Sequence, residues 1–405
     1  MNVLGLEAVF SCKGYRVEYA RTDGQIMQVN LAVDRRFTLK CPLCKAKMSV
    51  NRTTYSFIKD LPLGVVKCVL IRIPVRQGRC TRCHKTHTFR PGVVEPNQKA
   101  TNRFMKLAAA FCQYMPATKV AEYFNVPDTT IRNYNKRYLK AKLKDPEFDN
   151  LRYLLVDEKS IGKGHSYVTL VLNALSGDLL HMAEGKKKES LKSFFDKLIN
   201  GQKAAIKAVC IDRSGSYSKC IKECLPNAEL VYDKFHLVMN LNDVIDKIRR
   251  NLWNNARQNN DFEQADLIKG QRYNLLRNKR NNTASQQQQL DKLLRANAPL
   301  SEAYLLLDSF KFALSQSDSK QMHNDLTQWV SMGVNSCRSE MVRFARNIGK
   351  VIENITNAAK FKLTNGLIES FNRKIAMVIR RACGYRNLEY LFLNLRQMAK
   401  KPIPL

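Results

Sequence analysis

Residues 152–175 read RYLLVDEKSIGKGHSYVTLVLNAL, and two apolar runs in this stretch define the fold class. The first run, 153–156, leads directly to Asp157 and Glu158, and the second run covers 167–175. Two such runs, rich in branched side chains, predict two buried strands of one sheet. Because successive strand residues point to opposite faces, Asp157 and Glu158 should not both face one site, and Asp157 is the stronger candidate.

The segments that follow repeat an order of strand, acid and helix. GDLLHMAEG predicts a third strand and KESLKSFFDKLIN a helix. AIKAVCIDRSGSYSKCIKECL contains a strand, Asp212, a Gly/Ser turn and a helix, and NAELVYDKFHLVMNLN contains a strand, Asp233 and a helix. This order predicts a mixed α/β core. Open sheets bind ligands at the carboxyl ends of their strands, so Asp157 and Asp212 should converge if their strands are neighbours.

Two converging carboxylates repel each other and raise each other's pKa unless a cation compensates. Mg²⁺ or Mn²⁺ suits this position because both ions prefer oxygen ligands. A pair of such ions about 4 Å apart can activate a water or hydroxyl and stabilise the leaving oxygen of a phosphodiester. Asp233 and His236 follow the next predicted strand and should lie close to this crevice. They either hold the metal-binding acids or position DNA, or they only form the capped start of a helix.

A third carboxylate comes from TNGLIESFNRKIAMVIRRACGYRN, residues 364–387. Glu369 lies at the edge of a predicted buried stripe, which consists of Ile368, Phe371, Ile375 and Val378. The same helix carries basic residues suited to phosphate contacts, namely Arg373, Lys374, Arg380 and Arg381. The alternative is an ordinary helix with a solvated glutamate. Residues 241–360 predict a helical insertion in which Trp253 and Trp329 anchor the core, with stacking on a flipped base as the alternative for one of them.

Upstream, residues 96–145 predict a helix-turn-helix. ATKVAEYFNVPDTTIRNYNKRYLKAKL contains two helical patterns separated by NVP, and Asp128 is the expected cap of the second helix. The second helix has an apolar stripe, Ile131, Tyr134 and Tyr138. Its other face carries residue types that reach base edges and phosphates, namely Thr129, Thr130, Arg132, Asn133, Lys136 and Arg137. An ordinary helical hairpin is the alternative.

Residues 1–95 contain two CxxC pairs, CPLC at 41–44 and CTRC at 80–83. Four thiolates, Cys41, Cys44, Cys80 and Cys83, can complete a tetrahedral zinc site, and the β-rich segment between the pairs predicts a zinc ribbon of short strands. The 35-residue gap should contain a hairpin or two. His84 and His87 are competing ligands but should lie on the surface, and a redox role for the cysteines is the weaker alternative.

The charge of the chain indicates its partner. Lys and Arg total 68 against 35 Asp and Glu, a formal net charge of +33 over 405 residues, which favours a nucleic acid. No apolar stretch approaches the roughly 20 residues that span a bilayer, and the first residues lack a signal-peptide pattern. The expectation is an intracellular protein of two or three domains that does not act at a membrane.

Taken in order, these motifs resemble bacterial insertion-sequence transposases of the ISL type. The resemblance covers nearly the whole chain and is weakest in the first 35 residues and in 255–350. It implies an RNase H-like fold with an Asp-Asp-Glu metal triad, carried here by Asp157, Asp212 and Glu369. It also implies that the N-terminal modules bind the terminal inverted repeats of the element, and that the protein acts as a homodimer or larger assembly.

The expected architecture is multidomain α+β. It comprises a zinc ribbon (1–95), a helix-turn-helix domain (96–145), the first part of an RNase H-like core (150–240), a helical insertion (241–360) and C-terminal core helices (361–405). The expected function is DNA cleavage and strand transfer between element ends and target DNA, with two Mg²⁺ (or Mn²⁺) ions and one structural Zn²⁺. The alternatives are a DNA-binding regulator with a degenerate catalytic domain and an RNase H-like structure-specific nuclease.

Overall fold

The structure is a computed structural model that describes residues 3–10, 12–162, 164, 166–277 and 281–399. Over these residues the chain divides into two compact units. Unit 1 contains Met1–Lys144 together with Val378–Leu405, and unit 2 contains Asp145–Met377. Each unit combines a mixed sheet with helices, so the multidomain α+β class is confirmed. The finer five-part division stays a prediction, and its last segment, 361–405, extends beyond the described residues.

Unit 1 begins with a helix and a five-stranded sheet. Its elements are α1 (Val3–Phe10), β1 (Tyr15–Asp23), β2 (Ile26–Val33), β3 (Met48–Asp60), β4 (Cys68–Cys80) and β5 (Thr86–Phe89). The order is β1-β2-β4-β3, and β5 also pairs with β4. The expected hairpin between the two cysteine pairs is β3–β4, antiparallel along its whole length. The prediction of short strands was wrong, because alternate residues such as Ile71 and Ile73 build a separate apolar core under the sheet.

Three helices follow in unit 1: α2 (Asn102–Phe111), α3 (Ala117–Phe124) and α4 (Asp128–Lys142). The turn between α3 and α4 depends on Asn125, whose left-handed backbone (φ 48°) ends α3. Asp128 does not cap α4, which corrects the expectation. Pro127 occupies the cap position, so Asp128 is the first helical residue and its carboxylate pairs with Arg132 at 3.0 Å.

Unit 2 contains a second five-stranded sheet. Its elements are β6 (Tyr153–Ser160), β7 (Tyr167–Asn173), β8 (Leu179–Glu184), α5 (Lys188–Phe195), α6 (Asn200–Ala205), β9 (Ala208–Ile211), α7 (Gly215–Cys224) and β10 (Glu229–Tyr232). The order is β10-β9-β6-β7-β8. β10, β9 and β6 run parallel, whereas β6, β7 and β8 are joined as an antiparallel meander. The predicted mixed sheet is therefore confirmed.

Eight helices follow in the described part of unit 2. They are α8 (Lys234–Gln258), α9 (Phe262–Ile268), α10 (Arg272–Leu276), α11 (Ala284–Ala296), α12 (Ala298–Ser315), α13 (Ser319–Val334), α14 (Ser339–Gly349) and α15 (Ile352–Lys360). They share one core with the sheet. Trp329 is buried against Phe310 and Phe344 and donates its indole N–H to the Leu306 carbonyl at 2.7 Å. Trp329 is thus a core anchor, as expected, and burial excludes it from base stacking.

Two helices complete the described chain, α16 (Gly366–Arg381) and α17 (Leu388–Ala399). The stripe predicted on α16 is buried. Within unit 1, α17 packs on α4 through an apolar cluster made of Leu139, Leu143, Tyr390 and Leu393. The buried Asn135 amide donates to the Tyr390 hydroxyl at 2.8 Å, which fixes the register of the two helices. None of the described helices has the length and apolar character required to cross a membrane.

Candidate active site and cysteine cluster

Asp157 and Asp212 lie beside each other on neighbouring parallel strands of unit 2. The paired register ends at Val156 and Ile211; Asp157 is the next residue of β6, and Asp212 directly follows β9. Asp157 lies within β6 and not at its end, because β6 continues to Ser160 and Asp157 still pairs with Leu170 of β7. Burial and the neighbouring charge of Asp212 raise the pKa of Asp157 to about 6. The pair therefore concentrates negative charge that a divalent cation would offset.

A histidine connects Asp212 to a second aspartate. Asp233 is the N-cap of α8, and His236 lies one turn further along that helix. The His236 Nδ1 atom lies 2.7 Å from Asp212 Oδ1 and 2.8 Å from Asp233 Oδ2. Hydrogen bonds to Asp212 and then to Asp233 raise the pKa of His236 to about 10, so the ring is a cation at neutral pH. The sequence left Asp233 between capping and supporting roles, and the structure shows both contacts.

Two neutral amides, one directly before α16 and one within it, contact Asp212 and Asp157. Asn365 donates from Nδ2 to Asp212 Oδ1 at 3.5 Å, and Asn372 donates from Nδ2 to Asp157 Oδ2. Positions 365, 369 and 372 share one helix face because their spacings are four and three residues. Glu369 is half-buried and lies between the two asparagines on that helix face. The sequence missed both asparagines, although this spacing could have indicated them.

The three acids do not form the tightest acidic group. Among described residues, Asp212, Asp233 and His236 place one ligand atom each within 4.8 Å of the others, and Glu369 is outside that group. Glu158 is also outside that group; its carboxylate lies near the positive charge of Lys186 and near the charges of Asp157 and Asp212. Its exclusion from the site stays a prediction from strand alternation. Burial is the main reason that the pKa of Glu158 is raised.

The four predicted cysteines meet at one end of the β3–β4 hairpin. Their sulfurs all lie within 4.8 Å of one another, with 3.6 Å between Cys41 and Cys83 and 3.4 Å between Cys44 and Cys80. Zinc bound tetrahedrally at about 2.3 Å would separate sulfurs by about 3.8 Å, so the donor set fits this ion. Backbone N–H groups of Cys83 and Arg82 point at the Cys80 sulfur and help lower its pKa to about 6.

The two nearby histidines differ. His84 is exposed, as expected. His87 corrects the expectation, because it is half-buried and its Nε2 lies 3.8 Å from the Cys41 sulfur. Lys45 and His84, the residues directly after Cys44 and Cys83, both have left-handed backbones (φ 62° and 57°), so the two cysteine turns are equivalent.

The polar face of α4 is accessible, but several of its cations contact acids. Thr129, Asn133 and Arg137 are exposed, and Thr130, Arg132 and Lys136 are half-exposed. Glu389 of α17 pairs with Lys136 and Lys140, each at 2.5 Å, and Arg137 pairs with Glu95. This face also lines a groove with Asn97, Gln98 and Lys99. The residues predicted to contact DNA therefore surround one open basic surface.

The basic residues predicted on α16 divide into two groups. Arg373 and Lys374 are exposed on the part of the helix that belongs to unit 2. Arg380 and Arg381 belong to unit 1. Arg381 donates to the Gln113 carbonyl at 3.2 Å and to the Cys112 carbonyl at 3.3 Å, which ties α16 to the end of α2. Arg381 thus has a structural contact that the sequence did not indicate.

Comparison with known proteins supplies the family context. A family model described as a transposase, of the ISL3 DDE type, matches residues 154–395, a region that contains Asp157, Asp212 and Glu369. The chain is 31% identical over 399 residues to the transposase for insertion sequence element IS1001 of Bordetella parapertussis, covering 96% of this chain and 97% of that protein. It is also 31% identical over 265 residues to the transposase for IS1557 of Mycobacterium tuberculosis, covering 60% of this chain and 59% of that protein.

Proposed function

Because the chain belongs to the ISL3 family of insertion-sequence transposases, we propose that it binds the terminal inverted repeats of its element, cuts the DNA there and joins the exposed 3′-hydroxyl to target DNA. Transposase activity follows from the family; the DNA steps and the residues that perform them are the proposal. The observation that carries it is the placement of Asp157 and Asp212 side by side, each contacted by an asparagine amide of the segment that contains Glu369.

The topology of unit 2 supports an RNase H-like core. Three meander strands are extended by two parallel strands in the order β8-β7-β6-β9-β10, and α5 and α7 cover the sheet. The first acid follows the paired part of the central strand, and the second follows its parallel neighbour. The helices α8 to α15 then form the insertion that precedes α16. Unit 1 supplies the zinc ribbon, around the four cysteines, and the helix-turn-helix, made by α3 and α4.

The acids fit a divalent metal centre. Asp157 and Asp212 would be shared by two Mg²⁺ (or Mn²⁺) ions, and Glu369 would bind one of them; these hard ions prefer such oxygen donors. Bound Mg²⁺ supplies an activated water or hydroxyl and stabilises charge on the leaving oxygen. The raised pKa of Asp157 supports this assignment, since this carboxylate is desolvated and lies beside the charge of Asp212.

His236 has a positioning role in this proposal. Its Nδ1 proton is shared by Asp212 and Asp233, which fixes the Asp212 carboxylate at the edge of the sheet. The positive ring also offsets part of the acidic charge before DNA enters. Asn372 likewise fixes the Asp157 carboxylate, by donating a hydrogen bond to Oδ2, but it adds no positive charge. Each of the two aspartates therefore has one oxygen held by a neighbouring side chain.

DNA is the partner of both units in this proposal. The face of α4 reads the terminal repeat through Thr129, Thr130, Arg132, Asn133, Lys136 and Arg137. Arg373 and Lys374 contact phosphates near the acids, with Arg380 and Arg381 further along the helix. One Zn²⁺ on Cys41, Cys44, Cys80 and Cys83 holds the ribbon. Two ends must be paired for transposition, so the acting form is a homodimer or larger, working at the nucleoid.

The test uses a labelled duplex that carries one terminal repeat and its flanking DNA, with Mg²⁺ and an unlabelled target. Wild-type protein should cut the duplex and join it. Asp157→Ala, Asp212→Ala and Glu369→Ala should each abolish cutting while still shifting the duplex in a gel. Asp243→Ala, which removes an exposed acid from α8, is the matched control and should cut normally. Cleavage that survives one of the three substitutions would remove that residue from the triad.

The same assay separates the two alternatives. A DNA-binding regulator with a degenerate catalytic domain would shift the duplex without cutting it. A structure-specific nuclease would cut without a joined product. Placement of both aspartates at one edge of the sheet argues against the regulator, and the α4 surface argues against a nuclease without end recognition.

A further inference from the structure

An exposed aromatic side chain lies beside the acids and has no role in the chemistry described above. Phe235 is the second residue of α8, between the cap Asp233 and His236. Its backbone N–H donates to Asp233 Oδ1 at 3.3 Å, so its position is fixed by the same carboxylate that bonds His236. The Phe235 side chain is nevertheless 59% exposed. Phe235 thus differs from a mobile surface residue, because its backbone is held by a hydrogen bond while its large apolar ring is in solvent.

The core of unit 2 does not use the Phe235 ring. Leu237, two residues further on, provides the buried contact of this turn. Phe235 meets His236 edge to face, with 5.7 Å between ring centroids and 84° between planes. Met239 lies one turn along the helix and is 43% exposed, so Phe235 and Met239 form an apolar edge next to His236. This edge borders Asp212, because His236 bonds that carboxylate at 2.7 Å.

We infer that Phe235 stacks on a DNA base adjacent to the scissile phosphate and holds that base out of the duplex during cutting. The inference rests on the proposed function, since it assumes that the phosphate is bound at Asp157 and Asp212. A nucleotide bound there by its phosphate brings its base near the edge formed by Phe235 and Met239. An aromatic ring accepts the face of any base, so the contact positions the strand without reading its sequence.

A base is a better occupant than a protein surface for two reasons. The apolar edge is small and is surrounded by the charged groups of the acidic site, which a dry protein interface would have to desolvate. The chain carries a formal charge of +33, and its unit 2 presents exposed Arg373 and Lys374 on α16, which favours a polyanion as the partner of unit 2. An unpaired base can cover the small apolar edge while the charged groups around it stay in contact with water or DNA phosphates.

The test compares Phe235→Ala, Phe235→Leu and Phe235→Trp on the terminal-repeat duplex, with abasic sites placed one at a time across the cleavage position. Phe235→Ala and Phe235→Leu should slow cutting roughly tenfold or more, the range expected for one lost base stack, and Phe235→Trp should restore it. At one nucleotide the abasic site should slow the wild-type protein, and should slow Phe235→Ala no further. Gel shift of the intact duplex should change little.

The matched control is Phe262→Ala. Phe262 is equally exposed, at 61%, but it follows the other end of α8, a helix of 25 residues and therefore about 37 Å long. This variant should cut at the wild-type rate. A Phe235→Ala protein that cuts normally would overturn the inference. So would additive effects of Phe235→Ala and the abasic site at every position, which would indicate a structural role.

The remaining outcomes are also decisive. If Phe235→Ala changes the oligomeric state measured by light scattering and Phe235→Trp does not restore cutting, the edge contacts protein and the inference is wrong. If wild-type and Phe262→Ala cut while Asp157→Ala does not, the proposed function stands whatever Phe235 shows. If the wild-type protein does not cut the duplex at all, the proposed function fails and this inference fails with it.

Discussion

At the scale of single residues, the site brings several carboxylates together, and hydrogen bonds from His236 and Asn372 hold them in place. The placement of Asp157 and Asp212 was predictable, because each follows an apolar run that had to be a buried strand. The contacts of Asn365 and Asn372 with the aspartates were not predicted, although their spacing of four and three residues from Glu369 places all three on one helix face. The Asp233–His236 pair was noticed, but only the structure shows that its proton also reaches Asp212.

Asp157→Asn should stabilise the metal-free protein at pH 7 while abolishing cleavage. The pKa of Asp157 is raised from 3.8 to about 6, so the folded state holds a proton that the unfolded state releases. The contribution of Asp157 to the free energy of unfolding is therefore lost as pH rises from about 4 to 6, and at pH 7 the charged carboxylate destabilises the folded state. The amide removes that charge, which should increase the free energy of unfolding by about 1–2 kcal/mol, measured by thermal melting in EDTA.

The pH profile provides the control for this effect. The difference between Asp157→Asn and wild type should vanish below about pH 4, where both side chains are neutral. Asp243→Asn, at an exposed position, should leave the melting temperature unchanged. A variant less stable than wild type at pH 7 would contradict the view that Asp157 is poorly compensated without metal.

At the scale of elements, the pattern rules located helices well and strands less well. The buried stripes of α4 and α16 are those predicted from helical periodicity, apart from Tyr138, which is only half-buried. The length of β3 was missed because its middle, NRTTYS, is polar and exposed on both faces. Only pairing with the apolar β4, through 12 residue pairs, explains why this segment is extended. Backbone pairing of that kind leaves little trace in side-chain pattern.

Cys41→Ser should release the structural metal and weaken binding to the terminal repeat. The four sulfurs form one small cluster, and three thiolates bind zinc much less tightly than four. Zinc content measured by mass spectrometry should fall, and the gel shift should weaken. Cys383→Ser removes an exposed cysteine and should keep the metal. Unchanged zinc in Cys41→Ser would show that the cluster does not bind the ion.

Glu389→Gln should strengthen DNA binding by α4. Glu389 pairs with both Lys136 and Lys140, and removing its charge leaves two cations for phosphates. Affinity for the terminal repeat should rise about twofold to tenfold, with a steeper loss of affinity as salt increases. Glu122→Gln removes an acid that pairs with Lys119 of α3 and should have a smaller effect. If the salt dependence of Glu389→Gln matches wild type, the two lysines do not contact DNA.

At the scale of the whole molecule, the two compact units do not follow the order of the sequence. Unit 1 combines residues before 145 with residues after 377, and unit 2 is the continuous segment between them. Motif order and composition could predict that several domains exist. They could not show that α17 packs on α4. An apolar stripe on a helix predicts that this face is buried, but it does not indicate which other helix covers it.

Leu393→Ala should destabilise unit 1 and weaken end binding, although the substitution is far along the chain from α4. Leu393 is buried with Leu139 and Leu143, and removing a buried leucine typically costs about 2–5 kcal/mol. The melting transition of unit 1 should move to lower temperature while that of unit 2 is retained. Leu305→Ala, at an exposed position of α12, should change neither. If Leu393→Ala bound the element end normally and melted at the same temperature as wild type, α17 would not brace α4.

The packing of α17 on α4 also sets the order in which a nascent chain can mature. A ribosome releases α4 early, but the helix that braces it emerges only after all of unit 2 has been translated. A copy of the gene interrupted by a frameshift within unit 2 would encode the cysteines and α4 without that brace. Products of decayed element copies would therefore compete poorly for the repeats used by intact protein.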